Sequence, residues 1–268
     1  MPTTQDYLID LLAQKDKLVS CVSSCVKCSK DETLNAIVPK LDQYIAGEKT
    51  LFNVLTNNGK SFHSFFKDNA LITNDSIPPL DTSKATDYRY MFSGCPNLTI
   101  FNNPYAFESG KYFDHMFIDC PSLKTVSDMS FPNGLVFSSM FRNCPSLKHI
   151  GNLDTSQGSN FQYMLNDCPN LETIESINIS RANSNSFTLH SGLTSLREIR
   201  FVGIIPGTTF TCRAPNLSDA SLMNICNQLD DLASKGMTGT LILGDNFERL
   251  TEVHKAVISP KGWEAKKS

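Results

Sequence analysis

The stretch MFRNCPSL at residues 140–147 is one of four related copies in this chain of 268 residues, and these copies decide the fold. The other three read MFSGCPNL, MFIDCPSL and MLNDCPNL, at residues 91–98, 116–123 and 164–171. Their cysteines are separated by 25, 24 and 24 residues. Three positions after each copy comes an apolar residue: Phe101, Val126, Ile150 or Ile174. A fixed period of this length is typical of stacked structural repeats.

Weaker copies flank these four. Residues 189–199 keep the register with Leu193 in the place of the cysteine, and residues 77–83 match residues 150–156. A period of 24 to 25 predicts leucine-rich repeats in an α/β solenoid over residues 49–210, in which each repeat supplies a short strand to a parallel sheet. The leucines are expected to point inward and to stack between repeats: Leu98, Leu123, Leu147, Leu171 and Leu196.

The cysteine of each repeat is expected to be a small buried group that bonds loop backbone through its weak thiol. These residues are Cys95, Cys120, Cys144 and Cys168. The chain has nine cysteines in all, and an odd number argues against a closed disulfide framework. The first residues lack the pattern of a signal peptide, so reduced thiols made in a cytoplasm are expected.

The repeat pattern resembles the surface-antigen (BspA-like) class of leucine-rich repeats, which carries [AM]-F-x-x-C-x-x-L-x-x-I in each repeat. The likeness covers somewhat more than half of the chain. The resemblance implies a scaffold for adhesion or recognition, of the kind found on bacterial, phage and protist surface proteins.

Residues 1–48 read as an N-terminal α-helical segment. A first helix over residues 4–28 has an apolar stripe, and a shorter second helix is expected to be kinked by Pro39. The segment loosely resembles the N-terminal parts of phage tail and baseplate proteins, which implies attachment or oligomerisation. The other interpretation is a cap on the open end of the repeats. The candidate assembly residues are Leu8, Leu11, Leu18, Val22 and Cys25.

Three cysteines of this segment share the spacing of the iron–sulfur triad of radical SAM enzymes: Cys21, Cys25 and Cys28. The surrounding sequence does not alternate strands and helices as that enzyme barrel requires. Small hydrophobic packing at a helix interface is therefore the preferred interpretation. A metal site or an interchain contact is the alternative.

Residues 211–268 are expected to form a C-terminal α/β cap. Ser218 is the predicted N-cap of a helix that Gly236 and Gly239 end, and residues 240–244 are predicted to be the last strand of the parallel sheet. A final helix is expected over residues 250–259, and Trp263 is expected to cover the last repeat. Residues 217–263 resemble the C-terminal end of leucine-rich repeat proteins from phage structural operons.

Charge and motifs argue against several classes of function. The formal net charge is −3, which offers no basic field for nucleic acid, and no window is apolar enough for a membrane helix. No nucleotide-binding, hydrolase or zinc-protease motif is present, so neither an enzyme nor a cofactor is expected. His115 and His190 are expected to be structural. Asp119 and Asp167 precede repeat cysteines and could act as a pair of catalytic acids. Asn143 takes the same repeat position, so a role in forming the turn is preferred.

The functional surface of such repeats usually lies on or beside the parallel sheet. The predicted binding face comprises outward positions on or near the strands: Lys124, Thr125, Lys148, His149, Glu172, Thr173, Arg197, Glu198 and Arg200. The other interpretation of these charges is a solvated face without a partner.

The first functional hypothesis is a bacteriophage virion protein of the tail, baseplate or tail fibre, made in the host cytoplasm. Its partners would be other virion proteins or a host-surface ligand, and its N-terminal helices would form a homo-oligomer. The alternatives are a bacterial cell-surface adhesin of the same repeat class and a metal-dependent enzyme that uses the N-terminal cysteines.

Overall fold

The computed structural model describes residues 59–75, 77, 80–183, 186–190 and 192–268. The predicted N-terminal helices, the cysteine triad and the five candidate assembly residues lie outside the described residues. Within them, one hydrophobic core runs from Phe62 to Trp263.

Six short strands form one sheet in which every pairing is parallel. The strands are β1 Ile100–Phe101, β2 Thr125–Val126, β3 Met129–Ser130, β4 His149–Asp154, β5 Thr173–Ile177 and β6 Glu198–Phe201. Their order in the sheet is β1-β2-β4-β5-β6, and β3 pairs with the far end of β4. Thr125, His149, Thr173 and Glu198 lie side by side on adjacent strands, so each repeat contributes the same position to the sheet.

The leucine that precedes each strand faces the core. All five predicted leucines are 0 % exposed, as is Leu193, which takes the cysteine position in the weaker copy. Their burial removes apolar surface from water, the main favourable contribution to folding. The parallel register is what the α/β solenoid prediction requires, and the classification as a solenoid stays a prediction.

The side of each repeat that carries the MF and C positions is built from consecutive turns. Among the described residues from 59 to 218 there is no α-helix. Two residues per repeat have positive φ, for example Tyr90 at 57° and Gly94 at 66°. Backbone amides of alternate residues donate to carbonyls of the following repeat, as Phe92 does to Met116 at 2.9 Å. We call this side the turn ribbon; half of its amides bond between repeats and half within a repeat, as Ser93 does to Tyr90, whereas a helix would bond only internally.

Two columns of aromatic rings stack through the core. In the first column, neighbouring ring centroids are 5.1 to 5.9 Å apart: Phe62, Tyr88, Phe113, Phe137 and Phe161. In the second they are 5.4 to 5.6 Å apart: Phe66, Phe92, Phe117 and Phe141. Aromatic pairs at this separation stabilise a core beyond their buried area.

The C-terminal segment contains a second parallel sheet, ordered β7-β8-β9, and two helices. The prediction that residues 240–244 close the first sheet is wrong, because β8 lies in the middle of this second sheet. The predicted domain boundary at residues 210 and 211 falls inside β7. The elements are β7 Thr209–Thr211, α1 Asp219–Gln228, β8 Gly239–Ile242, α2 Glu252–Ile258 and β9 Trp263–Lys266.

Helix α1 begins as predicted and ends earlier than predicted. The hydroxyl of Ser218 accepts the Ser221 amide at 3.1 Å, as an N-cap does. Leu229 then turns to extended backbone with ψ of 137° and pairs with Ile205. The ammonium group of Lys261 donates to backbone carbonyls of the last turn, including Asn227 at 2.6 Å, and satisfies the groups that the helix end leaves free. Leu229 and Leu232 continue the helical spacing of buried apolar residues, but they lie beyond the end of the helix.

Helix α2 and Trp263 complete this end of the molecule. The predicted final helix is present with Thr251 as its N-cap. Trp263 is 3 % exposed, and its indole N–H donates to the Asp230 carbonyl at 2.8 Å. In the part of the chain that the structure describes, no helix is both long and apolar enough to cross a membrane.

Candidate binding face and the groove beside helix α1

The predicted binding face lies on the outer side of the first sheet, which we call the outer sheet face. Lys124, Lys148, Glu172 and Arg197 occupy the position immediately before successive strands, and all four are exposed. The Lys148 ammonium lies 3.2 Å from a Glu172 carboxylate oxygen, so charges from neighbouring repeats meet. The remaining predicted positions divide by burial: Glu198 and Arg200 are exposed, whereas Thr125, His149 and Thr173 are half-buried.

His149 is tied to the next strand. Its Nδ1 lies 2.5 Å from the Thr173 hydroxyl, within one hydrogen bond. The ring is therefore held along the sheet, in the column that continues to Glu198. His149 thus serves as a fixed part of the surface.

A chain of polar side chains crosses the outer sheet face beyond His149. Asp128 accepts the Asn152 backbone amide at 2.7 Å and its side-chain amide at 3.1 Å, and these two bonds lower the pKa of the Asp128 carboxyl. The Asn152 side-chain oxygen accepts the Ser176 hydroxyl at 2.7 Å. A Cβ at Gly151 would lie 2.4 Å from Asp128, so glycine permits this close approach. Sequence reasoning missed this chain.

Helix α1 takes the place of a further strand beside β6. The Ser221 hydroxyl accepts the Ile199 amide at 2.9 Å. The Asn224 side chain accepts the Phe201 amide at 2.7 Å and donates to the Phe201 carbonyl at 3.2 Å. The open edge of β6 is thereby satisfied by side chains, which removes a surface on which other strands could pair.

A groove of about 620 Å³ lies where the outer sheet face meets α1. We call it the α1 groove. Its volume is within the usual range for ligand sites. It is lined by Asn152, Thr173, Ile174, Glu175, Glu198, Ile199, Arg200, Ala220, Ser221 and Asn224.

The charged groups of the groove differ in whether they form hydrogen bonds or ion pairs within the fold. One oxygen of Glu198 accepts the hydroxyls of Ser218 at 2.8 Å and Ser221 at 3.2 Å. For the exposed side chains of Glu175 and Arg200 the structure records neither a hydrogen bond nor an ion pair with any described residue. The groove therefore presents an unpaired carboxylate and an unpaired guanidinium to solvent.

Sequence reasoning found part of this groove. Thr173, Glu198 and Arg200 were predicted, whereas Glu175 and the two asparagines were missed. The pairing of β5 with β6 is irregular between Ile174 and Ile177, where β5 has one more residue than its partner. Such a bulge changes which side chains face outward.

The repeat cysteines occupy a buried column that crosses the repeats. Each thiol donates to the carbonyl of the preceding repeat's phenylalanine at 3.0 Å, as Cys144 does to Phe117. Burial raises the pKa of Cys120 and of Cys168 to about 12, and raises that of Cys144 well above its ordinary value. Thiols in this state are poor nucleophiles and poor metal ligands. The six cysteines in the described ranges are thiols and form no disulfide.

The other singled-out polar residues serve the turn ribbon. His115 stacks on Tyr90 with ring centroids 4.6 Å apart, and His190 contacts the Leu165 carbonyl at 3.3 Å. Asp119 and Asp167 have φ of 59° and 60°, as the turn interpretation requires. The Asp119 carboxylate accepts the side-chain amide of Asn143 at 2.7 Å, and an Asp167 carboxylate oxygen lies 3.7 Å from Nε of Arg142. In the described ranges no group of three His, Cys, Asp or Glu is placed to hold a metal.

Comparison with known proteins gives one family. A family model described as "Mycoplasma protein of unknown function, DUF285" matches residues 44–131 and 135–191. No curated protein and no solved structure matches the chain significantly. The matched residues contain all four cysteine repeats and exceed half of the sequence. The chain belongs to the DUF285 family, which is related to BspA-like surface repeat proteins.

Proposed function

We propose that this chain is a recognition module that binds a macromolecular partner through its outer sheet face. The observation that carries the proposal is the register of the sheet, which aligns equivalent exposed charged side chains of successive repeats in one column across the outer sheet face. A partner with complementary charge would meet a surface whose pattern is already fixed. Such preorganisation lowers the entropic cost of binding, and charge complementarity favours specificity.

The charge pattern supports selective binding. Along the column that precedes the strands, Lys124 and Lys148 are basic, Glu172 is acidic and Arg197 is basic. Only Lys148 and Glu172 form an ion pair within 4 Å among these four. The two ends of the column therefore keep their charge for a partner.

Catalysis is not part of the proposal. The repeat thiols are buried with raised pKa values, and the aspartates that form a pair in the sequence hold turn conformations. An enzyme that uses Cys21, Cys25 and Cys28 would depend on residues outside the described ranges. Measuring iron and zinc in anaerobically purified protein tests that alternative directly.

Two placements of the module are proposed. Membership of a family related to BspA-like surface repeat proteins supports a cell-surface adhesin. The bacteriophage tail is supported by the resemblance of the two terminal segments to phage proteins. Locating the protein in uninfected cells and in purified virions distinguishes the placements, and tail genes beside its gene would favour the second.

The binding proposal is tested with the full chain on beads, offered to immobilised extracellular-matrix proteins and to a glycan array. The face variant carries Lys124→Glu and Arg197→Glu, at the two ends of the column. Its matched control carries Lys84→Glu and Lys111→Glu, two exposed lysines outside the outer sheet face. For any ligand captured, we expect the face variant to bind about tenfold more weakly. Equal loss in both variants, or no capture of any ligand, would count against the proposal.

A further inference from the structure

We propose that the α1 groove receives a basic side chain, arginine or lysine, from a protein partner, and that Glu175 and Glu198 bind it together. The inference rests on the proposed function and specifies the partner's chemistry at one place on the outer sheet face. It concerns a part of that face that is concave and is walled by helix α1.

The first step is the hydrogen-bonding capacity that the groove leaves free. Its neutral polar side chains already have partners within the fold: Asn152, Thr173, Ser221 and Asn224. The free capacity lies instead in Glu175, Arg200 and the second oxygen of Glu198. A charged ligand group fits this arrangement better than a neutral one.

The second step is the position of the two carboxylates. Thr173 lies opposite Glu198, and Glu175 is two residues further along β5. Both side chains line the same groove, so the two carboxylates border one space. A guanidinium or ammonium group has only donors, so one seated between the two carboxylates would donate hydrogen bonds to both.

The third step is the charge of the groove. Two carboxylates and the Arg200 guanidinium give the free charged groups a net charge of −1, which attracts a cation. Ile174 and Ile199 also line the groove, but they are only 1 % and 3 % exposed and belong to the core, so these two side chains offer a partner little apolar surface. Arg200 is left to bind a carbonyl or a carboxylate of the same partner segment.

The test is an amide NMR titration of the full chain with three probes. These are the capped pentapeptide Gly-Gly-Arg-Gly-Gly, the same peptide with neutral citrulline for arginine, and the trisaccharide of N-acetylglucosamine. We expect the arginine peptide to shift the Ile174 and Ile199 amides and to bind about fivefold more tightly than the citrulline peptide.

Variants assign the effect to the groove. Glu175→Gln removes a charge that forms no hydrogen bond or ion pair with a described residue, so it should leave the fold intact and weaken the arginine peptide about fivefold. Glu198→Gln should act in the same direction, and Glu108→Gln, an exposed site elsewhere, should have no effect. Shifts with the trisaccharide alone, equal binding of arginine and citrulline, or no binding would overturn the inference. If the face variant loses a captured partner while Glu175→Gln does not, only the groove assignment fails.

Discussion

At the scale of single residues, the cysteine column shows what the repeat requires of its most regular position. In four repeats a thiol at this 0 % exposed site donates to the carbonyl of the preceding repeat. In the first described repeat the same position holds Asn69, which is 5 % exposed, and in the weaker copy it holds Leu193, which has no donor and is 0 % exposed. Burial is thus common to the position, whereas the hydrogen bond of the thiol belongs to the cysteine repeats.

The raised thiol pKa values predict a loss of stability at high pH. In the unfolded chain a thiol ionises near its ordinary pKa of 9.0, whereas burial keeps Cys120 and Cys168 protonated to about 12. The folded state therefore binds more protons between these values, so stability is complete below pH 9.0 and falls as pH rises through this window. We expect each thiol to lower the free energy of unfolding by about 1.4 kcal/mol per pH unit there.

Urea unfolding at several pH values between 7 and about 11 measures this slope. The double variant Cys120→Ala and Cys168→Ala is the control, because it keeps every other titrating group. Its stability should decline less steeply with pH, whatever its stability at neutral pH. Identical slopes in the two proteins would show that these thiols are not protected by the fold.

A glycine column supports the first aromatic column. Gly110, Gly134 and Gly158 each precede a stacked phenylalanine by three residues, and a Cβ at Gly134 would lie 2.5 Å from the Phe137 ring. Ala85 holds this place three residues before Tyr88, so the turn itself accepts a Cβ. The expected penalty at the later positions is therefore contact with the rings.

We predict that Gly134→Ala destabilises the protein by about 1–3 kcal/mol, the usual range for overpacking a core. Urea unfolding measures the change. Gly192→Ala is the comparison, since its Cβ would meet only the half-buried His190 ring, at 3.0 Å. A loss at Gly134 no larger than that at Gly192 would contradict the steric explanation.

At the scale of elements, the junction of β6 and α1 ends the first sheet. Side chains of the helix bond the strand edge, so removing one of them should leave a buried backbone amide without a partner. We predict that Asn224→Ala costs about 1–3 kcal/mol, because it frees both the amide and the carbonyl of Phe201. Amide hydrogen exchange at Phe201 should accelerate, and unfolding in urea gives the change in stability.

The control for this prediction is Asn227→Ala, on an exposed position of the same helix. It changes helix propensity in the same way and leaves the strand edge covered. An open β6 edge should also raise the tendency to self-associate, which size-exclusion chromatography at increasing concentration detects. Equal exchange rates at Phe201 in both variants would remove α1 from the role of edge cover.

The elements that sequence reasoning could predict are those that repeat. Leucines and cysteines recur at fixed intervals, so their burial and the parallel strands follow from the period. The turn ribbon does not follow, because leucine-rich repeats of similar length place other structures there and residues such as Tyr90 give no sign of positive φ. The contacts of Ser221 and Asn224 with β6 carry no pattern either, since they occur once. The α1 groove combines both cases, with Arg200 predicted and Glu175 missed.

At the scale of the whole molecule, stability should be distributed along the stack. Each repeat bonds to its neighbours through the sheet, the turn ribbon and the aromatic columns, so interactions are local in the order of repeats. In stacked repeat proteins, stability is approximately a sum over repeats and their interfaces. The chain should then tolerate the loss of one complete repeat better than the loss of part of one.

We predict that deleting residues 120–143 yields a folded protein, whereas deleting residues 120–131 does not. The longer deletion removes 24 residues, one period, and joins Asp119 to Cys144, so the pattern M-F-x-x-C-P is preserved and Phe113 can stack on Phe161. The shorter deletion joins Asp119 to Pro132 and destroys the register of every ladder that crosses the junction. Circular dichroism and urea unfolding compare the two. The longer deletion should unfold in one transition with a denaturant slope about a tenth lower, in proportion to the surface lost. If the variant with the longer deletion is as unfolded without urea as the variant with the shorter one, contacts beyond neighbouring repeats hold the molecule together.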